Sequence, residues 1–361
     1  MILKWALIIM KKKFCSIIIM ILFISGFFIG CIENSQVNIK YFSTENIIPK
    51  VKQGKMIFNF TIRTNETSEI VRLWIPYPVS NEYQEITDYL IEGNYDYTSI
   101  FSESQYGIII LYAEWNNPEI FPKLNLSYDI SRTEKIKKNF SITDDLLPVD
   151  VEQYLLPTVL GPTDGEVKEI ADEVTKGNKS IIEKAIAIYD YLIEYGERDA
   201  NLTFCGDGDV CKLLKNLRGK CADFSSVFVA LSRSVGVPSR EIFGTRISKD
   251  GDITGSYHCH AEFYNPGYGW IPVDPSDVAK LMLNENLDLD DQKIIVARDY
   301  YFGIQSETYV DLSTGRDIIL NPPQDGDPLN YFMYPYAEIN GEPLDFISQE
   351  QLRYIVTFKE G

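Results

Sequence analysis

Apolar and polar residues alternate through several early stretches of the chain. Met56, Phe58, Phe60 and Ile62 follow a period of two, as do Val71, Leu73 and Ile75 ahead of Pro76-Tyr77-Pro78, and Leu124, Leu126, Tyr128 and Ile130. Residues two apart on a strand share a face, so the pattern predicts half-buried strands and an antiparallel β-sandwich-like domain over residues 50–145. Beyond about residue 165 the period lengthens. Ser180-Ile181-Ile182-Glu183 is a capping box, and Ile181, Ala185, Ile188, Tyr189, Leu192 and Ile193 behind it share one helical face. Phe224, Val227, Phe228, Leu231 and Val235 repeat the spacing in a helix that begins near Lys220-Cys221-Ala222 and is stopped by Gly236 and Pro238. Ser256–Tyr264 and Gly269–Val273 then read as strands joined by the turn residues Asn265-Pro266-Gly267-Tyr268. A helix followed by a hairpin gives the α+β class, with the helix packed on an antiparallel sheet in a core over residues 150–280. Residues 281–361 form a C-terminal extension in which Tyr331–Ile339 and Leu352–Phe358 are expected strands.

Composition changes the picture in two ways. With 361 residues and 45% hydrophobic content the chain is long enough for two domains with sizeable cores, and its net charge of −18 repels phosphate, so nucleic acid is not an expected partner. At the N-terminus, Lys11-Lys12-Lys13 precede an uncharged run from Phe14 to Gly30 and then Cys31. This order reads as an export signal over residues 1–31, with Met10 as the cleaner start. Gly30-Cys31 resembles a prokaryotic lipoprotein cleavage site whose Cys takes a lipid; the alternative is a signal anchor. Residues 32–49 are polar and read as a tether. A body held outside the cytosol, on the membrane through lipid or anchor, is the expectation.

Candidate chemistry centres on a thiol. Cys221 stands at the predicted start of a helix, where unpaired backbone N–H groups stabilise a thiolate, and its flanks Gly219-Lys220 and Ala222-Asp223 are not core-like. A base is needed beside it. The histidines of this chain, His258 and His260, lie two apart in one predicted strand and so share a face; either could serve. Asp274 ends the next strand, where the hairpin brings it opposite residues 258–260, in position to orient an imidazole. Cys205, Cys211 and Cys259 complete the cysteines beyond the signal. An exported chain is permitted disulfides, and Gly206 and Gly208 make Cys205–Cys211 the expected bridge. Asp207-Gly208-Asp209 lacks the later ligands of a calcium loop and reads as a turn. Neither a metal nor a cofactor is expected.

The stretch Arg218-Gly219-Lys220-Cys221-Ala222-Asp223-Phe224-Ser225-Ser226, continuing through Ala230 to Arg240, resembles the nucleophile motif of the transglutaminase-like superfamily. His258-Cys259-His260-Ala261-Glu262-Phe263-Tyr264, continuing through Gly267-Tyr268-Gly269-Trp270-Ile271-Pro272-Val273-Asp274-Pro275, resembles its second motif. In that pattern the catalytic His lies four residues before the Glu and sixteen before the Asp, and both counts reach 258. The resemblance therefore selects His258 and places His260 where the family often has Trp. It implies a papain-like Cys221–His258–Asp274 triad and acyl transfer through a thiol. Hydrolysis of peptide or amide bonds in a protein or peptide substrate is the leading expectation. Gln–amine cross-linking and a non-catalytic binding module are the alternatives.

Overall fold

The computed structural model describes residues 47–119, 121–138 and 146–361. The export signal, Cys31 and most of the tether lie outside them. Strands come first: β1 (Val51–Ile62), β2 (Ile70–Pro76), β3 (Gln84–Gly93), β4 (Tyr97–Ser102), β5 (Ile109–Asn116) and β6 (Lys123–Thr133). Helices α1 (Gly165–Val174), α2 (Ile181–Tyr195) and α3 (Cys221–Ser234) follow. Next come β7 (Ser239–Arg246), β8 (Tyr257–Asn265) and β9 (Gly269–Val273), then helices α4 (Pro275–Glu285) and α5 (Gln292–Tyr300). The chain ends with β10 (Tyr309–Thr314), β11 (Tyr336–Ile339) and β12 (Leu352–Glu360). The class is α+β, with antiparallel pairing in the three main sheets.

The alternating residues of β1 face a common core. Met56 pairs across to Tyr128 and Phe358, Phe58 to Leu126 and Val356, and Phe60 to Leu124 and Tyr354. In this sheet, ordered β12-β1-β6-β3, one face packs on Val71, Leu73 and Ile75 of β2 and Leu111, Ala113 and Trp115 of β5 in a second sheet ordered β11-β2-β5-β4. Two faces packed in this way make the β-sandwich. The last strands of the chain complete it, β12 beside β1 and β11 beside β2. The other face of the second sheet is buried as well: Trp74, Ile110 and Tyr112 pack on Ile318, Leu320 and Phe332. Burial on both faces explains why Ile108-Ile109-Ile110-Leu111-Tyr112 is continuously apolar instead of alternating.

The third sheet runs β9-β8-β7-β10 and carries α3. Phe224, Val227, Phe228 and Leu231 of α3 pack with Ala261 and Phe263 of β8, Ile271 and Val273 of β9, and Ile188 and Leu192 of α2. The capping box of α2 is complete: Glu183 N–H donates to Ser180 Oγ at 3.2 Å and Ser180 N–H to Glu183 Oε2 at 2.9 Å. Of the expected strand Tyr331–Ile339, only Tyr336–Ile339 is one. Residues 330–335 run as an irregular strap, because their hydrogen bonds go to the loop at 206–207 and to Arg316 and Ser313 instead of a ladder.

Buried charges tie the sandwich to this third sheet. Arg132, fully buried at the end of β6, donates to the Tyr309 carbonyl at 2.5 Å and to Gln305 Oε1 at 2.6 Å. Lys135 Nζ reaches Glu262 Oε1 at 2.5 Å, and Arg240 Nη2 takes Glu262 Oε2 at 2.7 Å. Burial alone would raise the Glu262 pKa, but Lys135 and Arg240 override it and hold the carboxyl well below the usual range. Removing one partner of such a network leaves an uncompensated charge in the interior, so Glu262→Gln is expected to lose about 3–5 kcal/mol of stability in urea unfolding. The sign with pH follows. A depressed folded pKa makes the contribution full above the unfolded value of about 4.3 and loses it as pH falls toward the folded value. The wild type should therefore weaken on acidification below about pH 4.3 more steeply than Glu262→Gln.

Candidate active site

Cys221 is the first residue of α3. The helix starts there because Asp223 accepts from Lys220 N–H at 2.8 Å and from Gly208 N–H at 2.9 Å, binding the 206–208 loop around its N-terminus. Room for that carboxylate requires glycines. A Cβ on Gly219 would lie 2.4 Å from Asp223 Cβ, and one on Gly206, whose φ is +100°, would lie 2.1 Å from Asp223 Oδ2. Ala222 N–H is spent on the Cys205 carbonyl at 2.9 Å. Cys221 N–H, at the first helical position, has no intrahelical acceptor and faces outward with the positive end of the helix.

The structure brings Cys221, His258 and Asp274 together. His258 Nε2 lies 2.6 Å from Asp274 Oδ2, which leaves the other ring nitrogen free of that carboxylate, and the His258 charge acts on Cys221. Asp274 stands one residue beyond β9, whose Val273 pairs with Ala261, and it also N-caps α4, accepting from Asp277 N–H at 3.0 Å. Sequence reasoning took Asp274-Pro275 as the end of a strand. The same dipeptide starts a helix, with Pro275 in its first turn.

Charge is concentrated here with little water. Cys221 is 1% exposed and His258 4%. Burial favours a neutral thiol at Cys221, but the neighbouring Cys205 and Cys259 side chains and the His258 charge hold its pKa well below the usual value. Cys205 and Cys259 move the other way and stay protonated. Burial and Arg246 push His258 down, yet Asp274, Asp277 and Cys221 outweigh them and raise it to about 9. A thiolate–imidazolium pair is the result.

Two residues near this pair were missed by sequence reasoning. Arg246, from β7, places Nη2 2.5 Å from Asp277 Oδ2 and 3.6 Å from Asp274 Oδ2, and Asp277 Oδ1 lies 3.8 Å from His258 Nε2. The signal available for Asp277 was the Asp-Pro-Ser-Asp spacing of a helix start; Arg246 carried none. His258, Asp274 and Asp277 together have the composition of a metal site, and the Arg246 guanidinium lies against both carboxylates.

His260 has no hydrogen-bond partner at either ring nitrogen among the described residues. It is 2% exposed, sets its ring edge-on against Tyr309 at 4.6 Å, and burial holds it neutral. The expected Cys205–Cys211 bridge is absent. Cys205 is a buried free thiol turned toward Cys221 and the Tyr257 carbonyl, whereas Cys211 is exposed on the short helix Val210–Leu213, so the two point apart.

The strap over residues 330–334 covers the thiol. Met333 packs in the same cluster as Cys205, Cys221 and Cys259. Tyr331 donates to the Gly206 carbonyl at 2.9 Å and stacks on Phe243, while Tyr334 lies against Tyr257 and Phe346 and accepts from Cys205 N–H at 3.4 Å.

Comparison with known proteins agrees with this geometry. Residues 168–275 match the transglutaminase-like superfamily. An uncharacterized protein of Haemophilus influenzae is 34% identical over 336 residues, 85% of this chain and 87% of its own. YebA of Bacillus subtilis, also uncharacterized, is 27% identical over 126 residues, 30% of this chain and 17% of its own. A crystal structure described as a candidate cysteine protease from Cytophaga hutchinsonii superposes with a TM-score of 0.57 at 16% identity, covering 86% of this chain and 91% of that one, and shares the fold. Motif, helix start and His–Asp hairpin coincide with the matched segment, and the chain belongs to the transglutaminase-like superfamily.

Proposed function

We propose that this protein is a surface-tethered, extracytoplasmic thiol hydrolase of peptide or amide bonds, with Cys221 as nucleophile, His258 as general acid and base, and Asp274 as its orienting carboxylate. The observation that carries the reading is the buried His258 Nε2–Asp274 Oδ2 pair at 2.6 Å, whose charge acts on Cys221 at a helix N-terminus. In this reading the thiolate attacks the substrate carbonyl carbon and a C–S bond forms. Cys221 N–H meets the oxyanion as it develops. The His258 imidazolium gives its proton to the leaving nitrogen as the C–N bond breaks, leaving a thioester and a neutral imidazole. His258 then takes a proton from water, whose oxygen attacks the thioester and releases the acid and the thiolate. Asp274 holds the ring orientation throughout.

A second reading, transfer of the acyl group to an amine, is favoured by one observation: the aromatic strap keeps water from a thiol that is 1% exposed. The two readings separate in one assay. The full-length protein, in mild detergent, is incubated with an unfolded protein substrate with and without a labelled primary amine. New chain ends without incorporated amine support hydrolysis; amine incorporation in excess of cleavage supports transfer. Cys221→Ala and His258→Ala are each expected to lower the rate by about 10³-fold or more. No turnover of either kind, with Cys221 no more reactive than Cys205, Cys211 or Cys259, would leave a binding module.

The strap makes a further expectation. Tyr334→Ala removes aromatic contacts worth about 1–1.5 kcal/mol, which raises the open fraction about tenfold. Alkylation of Cys221 by a small electrophile should quicken by the same factor; an unchanged rate would show that residues 330–334 do not control access.

A further inference from the structure

Asp277 holds a buried carboxylate oxygen with no hydrogen-bond partner. Its Oδ2 is taken by Arg246 at 2.5 Å, but Oδ1 makes no hydrogen bond, and its charge neighbour is His258 Nε2 at 3.8 Å. A bare carboxylate oxygen in the interior is unfavourable unless positive charge faces it. Asp277 is 5% exposed, and its backbone is fixed, since its N–H donates to Asp274 Oδ1 at 3.0 Å in the first turn of α4. The cap therefore sets two carboxylates side by side, both aimed at one imidazole from the N-terminus of a helix, where negative charge is favoured.

Counting charge decides what this does. Asp274 and Asp277 carry two negative charges and Arg246 carries one positive charge. Moving the thiol proton to His258 leaves the total charge unchanged but places the positive charge against the net −1 of these three groups, which favours the imidazolium. We propose that Asp277 is a second carboxylate partner of His258, a positioning residue that fixes the imidazolium form and so the thiolate on Cys221, with Arg246 preventing the two carboxylates from sharing a proton. This inference rests on the reading of Cys221–His258 as the reactive pair. Asp274 alone could orient the ring, but with Arg246 it would balance a neutral imidazole. The second carboxylate turns an oriented neutral base into a standing ion pair.

Other groups face this site. Tyr301 lies beside Asp277, Lys280 acts on it from the next turn of α4, Tyr309 sets its ring edge to His258, and Tyr189 faces Asp274. The tyrosines are raised by burial and stay neutral across the working range, so none of them supplies a competing titration.

The test follows the ultraviolet thiolate absorbance of the full-length protein, as the difference from Cys221→Ala, titrated from about pH 4 to about pH 10. Wild type should show the thiolate forming well below the free-thiol value of about 8.5. Asp277→Asn keeps the backbone cap and the side-chain size and removes one charge. Its thiolate should form about one pH unit higher, and the alkaline limb of the Cys221 alkylation rate should fall by about the same amount. The double variant Asp277→Asn/Arg246→Gln removes one charge of each sign and should move both limbs back toward wild type, which a merely structural role for Asp277 would not do. An Asp277→Asn titration that superimposes on wild type, or no recovery in the double variant, overturns the role of Asp277 alone. Absence of a low-pH thiolate in wild type overturns the function reading and this inference together.

Discussion

An ionised thiol in the interior has given up its hydration, and burial on its own would return Cys221 to the neutral form. The charge is held by compensation from several elements at once. The first turn of α3 offers the positive end of the helix, β8 presents His258, and the side chains of Cys205 and Cys259 pack in the same cluster as Cys221. Each contribution is larger in a dry site than it would be in water, because the local dielectric is low. Removing any one leaves the others facing an unbalanced charge. This mutual dependence explains why the site draws on the loop at 205–208, α3, β7, β8 and the start of α4 instead of on one contiguous motif.

Holding those elements in register is a task shared with the sandwich. Tyr309 of β10 places its hydroxyl 2.8 Å from the Ile242 carbonyl and 2.9 Å from that of His258, so it clamps β8 at the residue that carries the imidazole. The backbone of Tyr309 is in turn held by Arg132, which reaches in from β6. Support for His258 thus runs from the sandwich through two buried hydrogen-bonding groups. Glu262, four residues along the same strand, is fixed from the sandwich side by Lys135 and from β7 by Arg240, whose guanidinium also lies over Trp270. The sandwich is therefore a frame for the strand that carries His258.

Much of this was legible in the sequence wherever local chemistry decided the outcome. Period-two alternation located β1, β2 and β6, the capping box located α2, and the run from Gly219 to Pro238 located α3 with its stop. The His–Asp hairpin could be placed because turn residues at 265–268 fix which positions face one another. What was not legible depended on partners distant in sequence. The apolar run at 108–112 does not alternate because its outer face is covered by residues 318–332, some two hundred positions away. Tyr331–Tyr334 has strand-like composition, yet its polar atoms find better partners around the 206–207 loop. Arg246 sits in a stretch with no motif and Asp277 showed only the spacing of a helix start, and the crossing of β7 with the start of α4 brings the two together. The Cys205–Cys211 expectation failed because sequence proximity says nothing about side-chain direction once Asp209 starts a helical turn between the two thiols.

The strap and the charge cluster constrain each other. A site opened freely to water would screen the thiolate–imidazolium pair and weaken the attraction that sustains it. A site closed permanently would admit no carbonyl. Residues 330–334 resolve this because they are fastened by contacts that break separately from the fold: single hydrogen bonds from Tyr331 and Asn330 and aromatic stacking by Tyr334, instead of ladder pairing. The ladder resumes only at Tyr336 in β11, which anchors the far end of the strap to the sandwich. On the proposed reading, a substrate chain would take the place of these contacts and itself keep water from the ion pair.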